Sequence, residues 1–104
     1  MARKKLTPTF DYDPIGDVLY ISLGRDDEPY YCENVDDLLL IQRHMDTGEV
    51  TGFQILEVKQ QDVKTIQFQI QQVVHRELRK TEQAAEALLS LERVDEKDLA
   101  ELLS

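Results

Sequence analysis

The segment Tyr12-Asp13-Pro14-Ile15-Gly16-Asp17-Val18-Leu19-Tyr20-Ile21-Ser22-Leu23 constrains the fold more than any other, because it holds a strand end, a tight turn and a complete second strand. Pro14 presets φ for the second position of a turn, the Asp13 carboxylate bonds forward to the backbone, and Gly16 tolerates positive φ. The run after Asp17 is β-branched, aromatic or large and apolar, which suits a pleated surface buried on at least one face. By the period of two, Leu19, Ile21 and Leu23 share one face, and Val18, Tyr20 and Ser22 the other. The expectation is a β-hairpin with the first face toward the core.

Further strands follow from the same signals. Phe10 and Tyr12 alternate around Asp11 as a first strand, and Gly24-Arg25-Asp26-Asp27-Glu28-Pro29 reads as the second turn. Tyr30 to Val35 is a weaker strand whose charges suit an edge position. Leu38-Leu39-Leu40-Ile41 is a continuous apolar run, which fits a central strand covered on both faces. Met45-Asp46-Thr47-Gly48 supplies a hairpin loop with Gly48 at positive φ, and Glu49 to Leu56 returns with Phe53 and Ile55 on one side. Together these make an antiparallel β-meander of about five strands over residues 10–58.

Residues 59–104 have a different texture, free of glycine and proline and rich in glutamine, and read as mostly helical. Thr81 is the expected N-cap of a helix carrying Ala84, Ala85, Leu88 and Leu91, and Asp95, with Asp98 in the first turn, caps a last helix carrying Leu99, Leu102 and Leu103. The stretch from Val63 to Leu78 fits two periods. On a 3.6-residue period Val63, Ile66, Ile70, Val73, Val74 and Leu78 share a broad face with only Phe68 outside it; on a period of two Ile66, Phe68 and Ile70 line one side. Helix is favoured, in which case Phe68 is exposed unless another chain or helix covers it. The expected class is α+β: one domain over residues 1–104, a β-meander followed by C-terminal helices packed on the sheet or on a partner chain.

A chain of 104 residues with 41% hydrophobic content buries enough surface to fold without staples. No apolar run approaches a membrane span, and no apolar stretch follows the basic start, so a cytoplasmic protein with no membrane partner is expected. Cys32 is the sole cysteine, which excludes an internal disulfide and a cysteine-built zinc cage within one chain; a buried or half-buried thiol is expected there. The net charge is −9, and from Asp11 to Asp37 nine acidic residues (Asp11, Asp13, Asp17, Asp26, Asp27, Glu28, Glu33, Asp36, Asp37) face one basic residue, Arg25. Nucleic-acid affinity rests on lysine and arginine at phosphates, so nucleic acid is not an expected partner.

With those blocks in view, the amino-terminal half resembles the small bacterial family catalogued as domain of unknown function 2283. The resemblance rests on Tyr12-Asp13-Pro14 with Asp17 to Leu23, then the acidic stretch from Glu33 to Asp37, then Gly48-Glu49-Val50-Thr51-Gly52-Phe53-Gln54-Ile55-Leu56. It covers roughly residues 10–58. The family usually has a glycine after the acidic pair, where this chain has Leu38. The resemblance implies no assigned activity; some members look as though they are encoded beside small basic toxin-like proteins, which implies an antitoxin-like role toward a small basic partner.

Candidate chemistry is sparse. Asp11, Asp13 and Asp17 offer oxygen ligands for a hard cation, but their spacing departs from the calcium loop, and turn-building is the favoured role. His44 and His75 sit in no catalytic motif, and Ser22, Ser90 and Ser104 lack nucleophile-elbow glycines. No cofactor is expected. Tyr12, Tyr20, Tyr30 and Tyr31 fit either cross-strand packing or an aromatic recognition surface. Leu88, Leu91, Leu99 and Leu102 belong to an apolar excess beyond one helical stripe, the pattern of helices covered by another chain. The expected function is a non-catalytic interaction module that self-associates through the helical half, forms a homo-oligomer and offers an acidic sheet surface to partners. The alternatives are an antitoxin-like neutraliser of a small basic protein and a metal-assisted hydrolase using Asp13, Asp17 and His44.

Overall fold

The computed structural model describes residues 8–24, 28–79 and 85–103, with nothing stated of the side chains of residues 85–87. Five strands, β1 (Thr9–Asp13), β2 (Val18–Ser22), β3 (Tyr30–Asp36), β4 (Leu39–His44) and β5 (Val50–Leu56), form one antiparallel sheet. The spatial order is β1-β2-β5-β4-β3. The β1–β2 hairpin therefore joins the β3–β4–β5 meander through β2 and β5, which leaves β1 and β3 as the edges. A 3₁₀ turn (Val58–Gln60) leads into α1 (Val63–Leu78), α2 (Ala85–Glu92) and α3 (Glu96–Leu103). This is the α+β architecture expected from the sequence.

The core follows from the strand period. Leu19, Ile21 and Leu23 are essentially inaccessible, and the registers align Leu19 with Ile55, Ile21 with Phe53, Ile41 with Phe53 and Leu39 with Ile55. Ile66, Ile70, Val73 and Val74 of α1 close over this face at helical spacing. The ambiguous stretch is thus helix, and Phe68 stands outside the buried stripe at 58% exposure, as the helical reading required.

Leu88, Leu91 and Leu99 lie inside the same core at 0 to 1% exposure, with Leu102 half-buried against it. The apolar excess expected to await another chain is covered by the chain itself, because α2 and α3 pack on α1 and their leucines extend the layer that α1 begins. These leucines are core residues.

Helix boundaries have local causes. The Asp62 carboxylate accepts the Thr65 backbone N–H at 2.8 Å and starts α1, and Asp95 accepts that of Asp98 at 2.8 Å and starts α3, as expected. The proposed cap Thr81 lies outside the described residues. Gly48 has φ of 75°, as its loop position required, and Gly24 has φ of 88° at the start of the second turn, whose Arg25, Asp26 and Asp27 also lie outside the described residues.

The first turn differs from expectation in one respect. Asp17, not Gly16, takes positive φ, at 57°. Aspartate is one of the few side-chain-bearing residues that enter the left-handed region readily, and three hydrogen bonds hold it there. Gly16 serves a different need: a Cβ on it would lie 2.9 Å from Asp13 Oδ2, so its bareness lets the Asp13 side chain fold over the turn to accept the Ile15 N–H at 3.0 Å.

Candidate functional site

Two groups of side chains carry most of the specific polar chemistry, and both tie the sheet to the helical half. At the first, Asp17 accepts the Tyr12 hydroxyl at 2.7 Å and the Lys59 N–H at 3.0 and 3.2 Å, while its carbonyl accepts the Val58 N–H at 3.3 Å. The turn of the first hairpin thereby holds the 3₁₀ turn that follows β5. The hydrogen bond to Asp17, with burial and the negative charges of Asp17 and Asp13 adding to it, pushes the Tyr12 phenol up to about 12. Asp13 and Asp17 are turn builders, as favoured from the sequence.

At the second, Arg43 of β4 meets Glu77 of α1 through Nη1–Oε1 at 2.9 Å and Nη2–Oε2 at 3.4 Å, donates to the Gly48 carbonyl at 3.2 Å, and bonds Glu33 through Nε. Burial works against the Arg43 charge, but the hydrogen bonds from Glu33 and Glu77 and their charges outweigh it and raise its pKa above the ordinary value. Glu77, 1% exposed, is the one buried carboxylate among the described residues. Arg76 approaches it at 3.8 Å from the solvent side.

The residues of the hydrolase alternative are not brought together: Val18, next to Asp17, pairs with Leu56, whereas the His44 N–H pairs with the Glu49 carbonyl at the other end of β5. At about 3.3 Å of rise per residue the two ends of that strand are about 20 Å apart, far beyond shared coordination of one ion. His44 Nδ1 accepts the Asp46 and Thr47 N–H groups at 3.0 and 3.4 Å, and His75 lies exposed on α1, 3.1 Å from Glu92. Among the described residues no three His, Cys, Asp or Glu side chains group as metal ligands. A cleft of about 120 Å³ runs between β3, β4 and α1, lined by Val35, Asp36, Leu39, Gln69, Gln72, Val73 and Arg76. That is well below the roughly 300 Å³ at which small-molecule pockets begin.

The face of the sheet turned away from the helices is more informative. The registers align Tyr20, Gln54, Leu40 and Asn34 in one row across β2, β5, β4 and β3. A second row is Ser22, Gly52, Gln42 and Cys32, and Val18 pairs with Leu56 at one end. No position in these rows is Asp, Glu, Lys or Arg, in a chain whose content of those residues is 32%. Charge borders these rows on β1, where Asp11 faces Tyr20 and Asp13 faces Val18, and beside Tyr30, whose partner His44 lies 3.9 Å from Glu28. The expected acidic sheet surface is therefore a rim around a neutral centre.

The tyrosines divide accordingly. Tyr20 and Tyr30 stand on the neutral face, 37% and 44% exposed; Tyr31 is exposed on the opposite side of β3 next to Arg43; and Tyr12 packs half-buried against the core. Cys32, expected to be buried or half-buried, is exposed, because β3 is an edge strand and Cys32 lies on its helix-free side, 3.7 Å from Gln54 Nε2. Gly52 is what keeps the centre of the face flat: a Cβ there would lie 2.7 Å from Gln42 Oε1, so the Gln42 side chain lies across the position.

Comparison of the chain with protein-family models, with curated proteins and with solved structures found no match. No described helix is long and apolar enough to cross a membrane.

Proposed function

We propose that the protein is a non-catalytic protein–protein interaction module whose contact surface is the helix-free face of the sheet. The observation that carries this reading is the neutral centre of that face, with Tyr20 and Tyr30 exposed on it. Interface cores are depleted of charge and enriched in tyrosine relative to the rest of a protein surface. Asp11 and Asp13 supply the polar rim. The side chains best suited to acid–base work support the same reading, since Asp13, Asp17 and His44 are engaged by backbone N–H groups.

The test is site-specific photo-crosslinking in living cells, with a photoreactive phenylalanine analogue placed at Tyr20 or, as a control, at Gln60 on the 3₁₀ turn. Adducts formed from Tyr20 and not from Gln60, and lost when Gln54→Lys is added, support the module. Absence of any adduct from Tyr20 overturns it.

A further inference from the structure

We propose that the occupant of the helix-free sheet face is a second copy of this chain, packed sheet on sheet about a two-fold axis. The inference rests on the interaction-module reading and adds the partner's identity. Each copy carries a net charge of −9, so two copies repel wherever their acidic surfaces meet. The neutral face is where that repulsion is least, because the rows through Gln54 and Gly52 bring no like charges into opposition.

The face is also complementary to itself. Gln54, Gln42 and Asn34 each carry both a donor and an acceptor, as do the Tyr20 and Tyr30 hydroxyls, and a two-fold interface must match one patch to the same patch. Gly52 and the flat-lying Gln42 remove relief from the centre, which allows two sheets to approach to the usual separation of about 10 Å. The helices cannot compete for the space, since they are committed to the opposite face.

The size of the face sets the strength. The four strands of the neutral rows, about 4.8 Å apart and about 20 Å long, project roughly 400 Å² per copy, or about 800 Å² for the pair, in the range of weak, transient interfaces. The dimer is therefore weak and concentration-dependent. Because the contact is neutral and the bodies repel, added salt strengthens it, the reverse of an assembly held by surface ion pairs.

Sedimentation velocity on the full chain, from a few to several hundred micromolar and at low and high salt, tests this. The expected result is a shift from 12.1 kDa toward twice that mass, larger at high salt, abolished by Gln54→Lys and by Tyr20→Glu and retained by Phe68→Lys on α1. Circular dichroism of each variant establishes folding, and either face variant alone suffices. A wild-type monomer throughout the range, or a dimer unaffected by both face variants, overturns the proposal. The cellular crosslink separates the two claims: a Tyr20 adduct of some mass other than twice 12.1 kDa keeps the module and removes the second copy, whereas no adduct removes the module itself.

Discussion

Arg43 and Glu77, thirty-four residues apart in sequence, form a two-pronged ion pair that fastens α1 to the sheet, with Nη1–Oε1 at 2.9 Å and Nη2–Oε2 at 3.4 Å. The two partners are not equivalent. If Glu77 is lost, Arg43 keeps Glu33 and the Gly48 carbonyl; if Arg43 is lost, Glu77 stays buried without its two-pronged partner, with Arg76 at 3.8 Å. Arg43→Met is expected to cost about 3–5 kcal/mol, and Glu77→Gln less, about 1–3 kcal/mol. The double change Arg43→Met with Glu77→Leu restores much of the loss, because no buried charge is left without its partner. Urea denaturation of the three variants checks the order; equal costs for the single changes contradict the asymmetry.

Tyr12 is expected to titrate near pH 12, because its hydroxyl donates to Asp17. A folded-state pKa above the unfolded value of about 10 favours the protonated form, so this contribution to stability is complete below pH 10 and is lost as the pH rises from there toward 12. Asp17→Asn tolerates the left-handed backbone and keeps an acceptor but removes the charge, and is expected to bring the Tyr12 pKa back toward 10. Spectrophotometric titration of phenolate formation in the two proteins makes the comparison.

Acid acts at a different point. The Asp62 carboxylate, held below its ordinary pKa by hydrogen bonds from Thr65, contributes stability that is present above pH 3.8 and is lost as the pH falls through its lowered folded-state value. Asp62→Ala is expected to lower the melting temperature by a few degrees at neutral pH and to remove that part of the acid dependence. Melting curves between pH 2 and 7 report both effects; an unchanged acid limb would rule out the cap as its source.

The strands were legible in the sequence because each signal is local: Leu19 and Ile21 alternate with Val18 and Tyr20, and Gly48 sits where a loop needs it. The α1 period was legible too, with Phe68 as the residue that marked its outer side. Asp62-Val63-Lys64-Thr65 is a readable start signal for α1, less prominent than the candidate at Thr81. The Arg43–Glu77 pair had no local signal, since only the β4–α1 packing brings its members together. The leucines of α2 and α3 were assigned to a partner for a related reason: counting apolar residues on a helix does not reveal how much of α1 they cover. The neutral sheet face needed the register, because it is made of alternate residues from strands whose order, with β5 between β2 and β4, is not the order of the chain.

Gly52 offers a direct probe of that face. A Cβ at this position would lie 2.5 Å from the Ile21 carbonyl oxygen, a backbone atom that can move only with its strand. Gly52→Ala is expected to destabilise the fold by about 1–3 kcal/mol, mainly by forcing β2 and β5 apart. Amide hydrogen exchange localises the damage: protection falls first at Leu23, whose N–H donates to the Thr51 carbonyl at 3.0 Å, and at the β2–β5 pairs nearest to it. Loss confined to the β4 side would show that Gln42, which also crowds the position, is the atom that yields.

Thr51 gives the opposite sign. It is 2% exposed, sits in β5 where the pairing with β4 shifts between Gln42 and Arg43, and its Oγ1 has no hydrogen-bond partner among the described residues. A buried hydroxyl without a partner forfeits its bonds to water and is replaced at little steric cost by a methyl group, so Thr51→Val is expected to stabilise the protein by about 1 kcal/mol. The gain corresponds to an upward shift of a few degrees in the melting temperature of a chain this size. The irregular pairing at this point comes from the step between Arg43, which pairs with Val50, and Gln42, which pairs with Gly52, and does not depend on the hydroxyl. The valine variant should therefore retain the Arg43–Glu77 pair and the wild-type exchange pattern, and a drop in stability would mean that the hydroxyl is bonded in solution.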